Sequence, residues 1–314
     1  MLFQNQNKKI FLRICQIVKL KNNYIYFRDL ISYFVFQLIT LQRIRFQLSS
    51  QFFYFLLYFD QILSLQKLKK MDKLKIALQK QEFKVLEEFL SSLLFHHTEL
   101  ELYLGKKNIG NQEASQIAKT LRKCQNLTKL KLVLFENKIS EYGAVGLGIA
   151  FLQLVNLKIL EINLRDNNIG PKGTVQIANS LSYLPQLKNL TLNLNKNFIG
   201  DEGASKIGEA IAKSLNISFL ELNLANNQIL SEGISNLSEG IKNSKCLIKL
   251  ILDLYNNSIN ESDCQNLINR IGSNKNIFQL NIIISSNLIN EEAQKKLRIQ
   301  AKKINRIVKG YFYL

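Results

Sequence analysis

The fold is decided by a stretch that reads LKNLTLNLNKNFIGDEG from Leu187 to Gly203. Its leucines alternate with polar residues, a period of two that is typical of a strand with one apolar face. Asn197 follows the strand, and a glycine-rich and acidic opening comes next, as is common at a helix start. Ala204, Ile207 and Ile211 then continue at helical spacing. The stretch therefore predicts a strand, a tight turn and a helix.

The same unit recurs every 30 residues. Its asparagine falls without slippage at Asn137, Asn167, Asn197, Asn227, Asn257 and Asn287. An earlier unit is visible at Leu100, Leu102 and Leu104, with Lys107 where the asparagine would stand. A fixed period of this size indicates a solenoid, in which each unit buries its apolar side chains against its neighbours. We expect the asparagines to form a ladder that bonds backbone groups of neighbouring turns.

The pattern L-x-x-L-x-L-x-L-x-x-N-x-I resembles a leucine-rich repeat of the ribonuclease-inhibitor-like class over residues 97–304. Its core is two residues longer than is usual there, a form similar to arrays in predicted protist proteins. The resemblance implies an α/β solenoid of about seven 30-residue units. It would be a curved horseshoe with a parallel sheet on the concave face and helices on the convex face. Strands about 4.8 Å apart and helices about 10 Å wide favour this curvature.

The array needs a cap at each end, because its terminal units lack a neighbour. Residues 71–96 are predicted to be an N-terminal helical cap, since Phe83, Leu86, Phe89 and Leu93 lie at helical spacing. Residues 97–290 are predicted to be the repeat array. Residues 291–314 are predicted to be a basic cap helix and tail.

Residues 1–70 have a different composition from the rest. They contain 11 Lys and Arg against two acids, 15 of the 30 aromatic residues, and no Gly, Ala, Pro or Glu. Three interpretations stay open: an over-extended gene model with Met71 as the start, a basic aromatic extension that is disordered, or a short membrane-associated segment. Their uncharged runs of 13 and 14 residues are shorter than the roughly 20 that a membrane span needs.

The sequence contains no catalytic constellation. Its two histidines, His96 and His97, are adjacent, and packing is the favoured interpretation of His97. The four cysteines, Cys15, Cys124, Cys246 and Cys264, have no disulfide-scaffold or zinc-site spacing. Phosphate-loop and protein-kinase motifs are lacking. We therefore predict a non-enzyme without cofactor or metal, and the separated thiols favour a cytoplasmic location.

The residues between the inward leucines are expected to line the concave face. Aromatic and arginine side chains are common anchors of protein interfaces. On this basis the predicted partner-binding residues are Tyr103, Phe135, Glu161, Arg165, Glu221, Asp253 and Tyr255. The alternative is that these positions are solvated polar residues between core leucines. The stripe formed by Asn163, Asn193 and Asn223 is interpreted as repeat homogeneity.

These observations predict a non-enzymatic scaffold that binds a partner protein on its concave face. One alternative is a GTPase-activator-like regulator of a small GTPase, because the array is similar to those of Ran GTPase activators. Another is the repeat portion of a larger signalling protein such as a kinase. Nucleic acid is disfavoured, because acidic residues accompany the lysines on the concave face despite the net charge of +18. Membrane contact is expected only through residues 1–70 or the basic C-terminal helix.

Overall fold

The computed structural model describes residues 80–91, 97–304 and 309–313, in which strands and helices alternate. The strands are β1 Lys80–Phe83, β2 Glu99–Tyr103, β3 Lys129–Val133, β4 Ile159–Asn163, β5 Asn189–Asn193, β6 Phe219–Asn223, β7 Lys249–Asp253, β8 Gln279–Ile283 and β9 Lys309–Tyr313. The helices are α1 Leu86–Ser91, α2 Asn111–Leu121, α3 Glu141–Phe151, α4 Gly170–Leu181, α5 Gly200–Lys213, α6 Ser231–Lys242, α7 Glu261–Ser273 and α8 Glu291–Lys302. The predicted α/β solenoid is confirmed.

The strands form one open parallel sheet whose order follows the sequence from β1 to β9. From β2 onward, paired residues are 30 apart, as Leu100 with Leu130 and Leu130 with Leu160. A slip of one residue would turn every core leucine to the opposite face of its strand. The constant period in the sequence therefore determines the register of the sheet.

The core lies between the sheet and the helices. Strands β3 to β7 alternate half-buried and buried residues, and the buried ones are the leucines and isoleucines of the repeat. Leu130 and Leu132 are fully buried, as are Ile117 and Leu147 on the facing helices. Burying one such side chain contributes about 1.5–3 kcal/mol. The half-buried residues make up the opposite face of the sheet, which we call the concave face.

The tight turn after each strand from β2 to β8 has a left-handed backbone at one or two non-glycine residues. Lys196 and Phe198, on either side of Asn197, have φ angles of 59° and 58°. This conformation costs roughly 1–2 kcal/mol per residue. The Asn197 side chain offsets part of that cost, because its Nδ2 donates to the carbonyl oxygens of Leu164 at 2.9 Å and Leu194 at 3.1 Å.

The other five asparagines of the repeat make equivalent bonds. Each Nδ2 donates to a backbone carbonyl of the preceding unit at 2.9–3.0 Å. Each Oδ1 accepts one or two backbone N–H groups of that unit, as Asn227 does from Asn197 at 2.9 Å and Ile199 at 3.4 Å. The side chains thereby join consecutive turns at a place that the sheet hydrogen bonds do not reach.

The two ends differ from the expected caps. Lys80–Phe83 pairs with β2 as a strand, so Phe83 does not lie in a cap helix; residues 71–79 and 92–96 lie outside the described residues. At the other end the helix stops at Lys302, and Lys309–Tyr313 forms a ninth strand where a tail was expected. Both ends of the array are thus extended by a strand.

Two further predictions concern burial and membrane contact. His97 is buried, with 2% of its surface exposed, whereas His96 and residues 1–70 lie outside the described part of the chain. Among the helices of the described residues, none is both long enough and apolar enough to cross a bilayer.

Candidate protein-binding surface

The N-terminal part of the concave face is a network of charged groups. Glu101 is almost fully buried, and it accepts hydrogen bonds from Tyr103 Oη at 2.9 Å and Lys129 Nζ at 3.2 Å. Lys131 Nζ lies 3.2 Å from Glu161 and 5.7 Å from the centre of the Tyr103 ring. The hydrogen bond to Glu101 raises the pKa of Tyr103, and the one to Glu161 raises the pKa of Lys131. The polar groups of Tyr103 and Glu161 therefore already have partners within the chain.

A second cluster surrounds Phe135 at the carboxyl ends of the strands. The Phe135 ring covers the Cα of Gly105, where no side chain would fit. Lys106 Nζ and the Arg165 guanidinium lie 6.0 and 5.7 Å from the ring centre, within cation–π range. Both cations also pair with Glu136, and the bond from Lys106 is the main cause of the lowered pKa of that carboxyl. The structure thus brings Phe135 and Arg165 together as a preformed aromatic and charged ridge.

A depression of about 270 Å³ lies in the middle of the face. It is lined by residues of β3 to β6: Lys131, Val133, Glu161, Ile162, Asn163, Thr191, Leu192, Asn193, Glu221 and Asn223. The asparagine stripe has a local role here, because Asn163, Asn193 and Asn223 each accept the backbone N–H two residues later, at 3.0–3.1 Å. Each bond stabilises the turn at the end of its strand, β4, β5 or β6. The stripe therefore has a structural function.

The C-terminal part of the face has fewer internal partners. Asp253 accepts from the Tyr255 N–H at 3.0 Å and from Asn223 Nδ2 at 2.9 Å, and burial raises the pKa of its carboxyl. The Tyr255 side chain is 41% exposed. In the described part of the chain, the half-buried Glu221 carboxylate has neither a hydrogen-bond nor an ion-pair partner. Half-buried Ile251 lies in register with Glu221 on the adjacent strand.

The first residue of each strand from β2 to β8 also belongs to this face, although the sequence interpretation did not include it. Lys129 reaches Glu101, and Lys249 Nζ lies 5.0 Å from the centre of the Phe219 ring. Extending the leucine alternation by one step toward the N-terminus of each strand would have found these residues.

The described residues offer no metal-binding group of His, Cys, Asp or Glu side chains. Cys124 and Cys264 are buried, and burial raises the pKa of each thiol to about 12, so neither is a thiolate at neutral pH. The concave face can therefore offer hydrogen bonds, charge and aromatic surface, which is the chemistry of recognition.

The leucine-rich repeat family model matches residues 155–178, 186–208 and 215–238, which correspond to three consecutive units of the array. These three units are leucine-rich repeats, and the same 30-residue period continues through the rest of the array. No curated protein matches the sequence. The ribonuclease-inhibitor-like class of these repeats stays a prediction, since the match does not distinguish it.

Several solved structures are similar to this chain at low identity. The yeast Rad7 and Elc1 complex has 15% identity, covering 85% of this chain and 74% of that chain, with a TM-score of 0.49. Leiomodin-1 actin-binding site 2 has 14% identity, covers 52% and 88% of the two chains, and has a TM-score of 0.38. A Bacteroides fragilis protein has 14% identity, covers 73% and 69%, and has a TM-score of 0.40. At these values the likenesses carry no inference about function.

Proposed function

We propose that the protein is a non-enzymatic scaffold that binds a partner protein on its concave face. The observation that carries the proposal is the group formed by Glu221 on β6, Ile251 on β7 and Tyr255 just after β7, which combines an unpaired carboxylate with apolar and aromatic surface. Buried leucines and sheet bonds hold both strands in place, so binding would order few further groups. Such pre-organised aromatic anchors commonly dominate the affinity of protein interfaces.

The chemistry of this group specifies what the partner should present. An unpaired carboxylate beside an apolar side chain fits a lysine or arginine whose aliphatic stem packs on Ile251 and whose charge meets Glu221. In the ridge, Phe135 lies four strands away from Tyr255, roughly 19 Å along the sheet, and Arg165 lies one strand nearer. One folded protein domain can span that distance, so the whole predicted set, including Tyr103, Glu161 and Asp253, stays within one proposed interface.

The alternatives are tested separately. Within the described residues, no arrangement specifically favours a GTPase-activator-like activity or attachment to a kinase. GTP turnover by small GTPases in the presence of the full chain would detect the activator alternative. A cytoplasmic location also belongs to the proposal, and the free thiols of Cys124, Cys246 and Cys264 support it.

The experiment places a photoreactive amino acid at position 255 of the full chain and identifies the protein that it cross-links. The affinity of that protein is then measured for Glu221→Gln/Tyr255→Ala and for Phe135→Ala/Arg165→Ala/Tyr255→Ala. We expect each variant to weaken binding at least about tenfold, or 1.4 kcal/mol, with an unchanged circular dichroism spectrum.

Tyr142 provides the matched control. Its side chain is 80% exposed on helix α3, away from the concave face. Tyr142→Ala should leave the affinity unchanged, and a photoreactive residue there should not cross-link the same protein. If Tyr142→Ala loses binding while the concave-face variants bind fully, the interface lies on the helical face and the proposal is wrong.

A further inference from the structure

The turns that lead from helices α2 to α7 to the following strands lie along one edge of the array. They comprise residues 122–128, 152–158, 182–188, 214–218, 243–248 and 274–278, and we call them the basic edge. The strands are parallel and in register, so these turns all lie at the amino ends of the strands. The basic edge is therefore a separate surface from the concave face.

The basic edge contains cations and no acid. Its charged residues are Arg122, Lys123, Lys158, Lys188, Lys245 and Lys275. All six are exposed, and none has an ion-pair partner among the described residues. On the opposite edge acids accompany the cations: Glu136 pairs with Lys106 at 3.1 Å and Asp166 with Lys196 at 2.9 Å, while Lys107 and Lys138 lack an ion-pair partner among the described residues. The two edges thus differ in their acids, which the opposite edge contains and the basic edge does not.

Helix dipoles do not account for the charges of Lys158 and Lys188. Cations stabilise a helix C-terminus only within about the last turn, and Lys158 and Lys188 lie seven residues beyond the helix ends at Phe151 and Leu181. These two lysines are also neighbours, since the Lys188 N–H bonds the Lys158 carbonyl at 2.9 Å. Like charges in adjacent positions are destabilising. An anionic partner would remove that repulsion.

The same edge exposes isolated apolar side chains. Five consecutive turns each contribute one: Val155 at 45% exposure, Tyr183 at 69%, Leu215 at 66%, Ile248 at 50% and Phe278 at 46%. The sheet spacing distributes them over roughly 19 Å. We call these five side chains the apolar tips. Single apolar side chains among lysines fit the surface of an anionic bilayer, where lysines contact lipid headgroups and apolar side chains enter the boundary with the acyl chains. Nucleic acid offers no comparable site for the aliphatic tips.

The basic edge is also rigid. Asparagine side chains bond the preceding turn: Asn156 Nδ2 donates to the Gln125 carbonyl at 2.9 Å, and Asn276 Nδ2 donates to the Lys245 carbonyl at 2.7 Å. Asn216 makes the equivalent bond at 2.6 Å. These bonds hold the backbone of neighbouring turns in one arrangement, so that docking would not have to order the backbone that carries the charges.

We propose that the basic edge docks on the surface of an anionic lipid bilayer, with its lysines at the headgroups and its apolar tips in the interface. This inference is independent of the concave face and of residues 1–70. It also differs from membrane contact through the C-terminal helix, because it places the contact in the turns between Arg122 and Phe278.

The first test measures sedimentation of the full chain with vesicles of phosphatidylserine and phosphatidylcholine, and with phosphatidylcholine alone. We expect binding only to the anionic vesicles. Lys158→Glu/Lys188→Glu should weaken that binding at least about tenfold. Lys107→Glu/Lys138→Glu is the matched control, since it makes the same change of charge at exposed positions on the opposite edge. Absence of vesicle binding, or equal losses in both variants, would overturn the proposal.

The second test locates the contact. The chain has no tryptophan, so Phe278→Trp introduces a single fluorophore on the basic edge, and Leu288→Trp does so on the opposite edge. On anionic vesicles we expect a blue shift and quenching by brominated lipid for Phe278→Trp only. If the protein sediments while Phe278→Trp is not quenched, or while both variants are quenched equally, another segment makes the contact and the proposal is wrong. Binding to an acidic protein or to RNA in the absence of vesicle binding would also refute it.

Discussion

Asn227→Ala should destabilise the array more than the same change at Asn197. The Asn227 Oδ1 accepts the N–H groups of Asn197 and Ile199, two fully buried residues whose N–H groups have no other partner in the described chain. The carbonyls that Asn227 bonds do keep other donors. The Leu194 oxygen still accepts from Asn197 Nδ2 at 3.1 Å, for example. The loss therefore comes from the two orphaned N–H groups.

The magnitude follows from that count. An unpaired buried donor costs about 1–3 kcal/mol, so Asn227→Ala should cost about 2–6 kcal/mol. Asn197 Oδ1 accepts only the Ile169 N–H, at 3.4 Å, and Asn197→Ala should cost about 1–3 kcal/mol. Lys107 occupies the same place in the first unit with an exposed side chain, so Lys107→Ala should stay within about 0.5 kcal/mol of the wild type.

The measurement is urea unfolding of the full chain, followed by circular dichroism, for the three variants and the wild type. The expected order of stability is wild type and Lys107→Ala first, then Asn197→Ala, and then Asn227→Ala. If Asn227→Ala and Asn197→Ala lose equal stability, the orphaned N–H groups are not the cause. If Lys107→Ala loses as much as either, the side-chain bonds contribute nothing specific.

Three further predictions concern pH, packing and thiol reactivity. Burial raises the pKa of Asp253, so the contribution of its protonated carboxyl to folding stability is present in acid and is lost as the pH rises through that pKa. Asp253→Asn should therefore raise the melting temperature more at neutral than at acidic pH, and an equal rise at both would contradict this. Gly240→Ala should cost about 1–3 kcal/mol in chemical unfolding, because its Cβ would meet the backbone of the neighbouring helix, whereas Gly146→Ala, where there is room, should not destabilise. Peptide mapping after alkylation of the native protein should find Cys246 modified well before Cys124, and equal rates would show that burial does not protect the latter.

The sequence period predicted the repeated elements and their register, because each unit satisfies the same local requirements. The same period also contained a signal for the ninth strand, since Lys309 lies 30 residues after its partner Gln279. The first strand had no such signal. Lys80 pairs with Glu99, only 19 residues later, and a short run of phenylalanine and leucine fits a helix or a strand equally well. The 30-residue period therefore could not predict β1, whose connection to the next strand is shorter than a full unit.

The candidate site was less predictable than the fold. The column of Glu101, Lys131 and Glu161 alternates in charge, and that alternation alone indicates internal pairing. The position of Phe135 required the structure, because its ring depends on the absence of a side chain at Gly105. The exposure of Tyr255 likewise depends on how neighbouring turns pack, and the 30-residue period of the sequence carries no information about that packing.

Agreement and divergence among the units have different physical causes. Where the units agree, the fold explains the residue: the leucines fill the core, and the asparagine after each strand bonds the preceding turn. The stripe at Asn163, Asn193 and Asn223 also agrees, and its side chains close the strand ends. Half-buried Glu221 and exposed Lys158 lie at positions whose residues differ from unit to unit and where no internal contact requires them. Their charges have no partner in the described chain, so a physical reason for them has to be sought in what the protein binds.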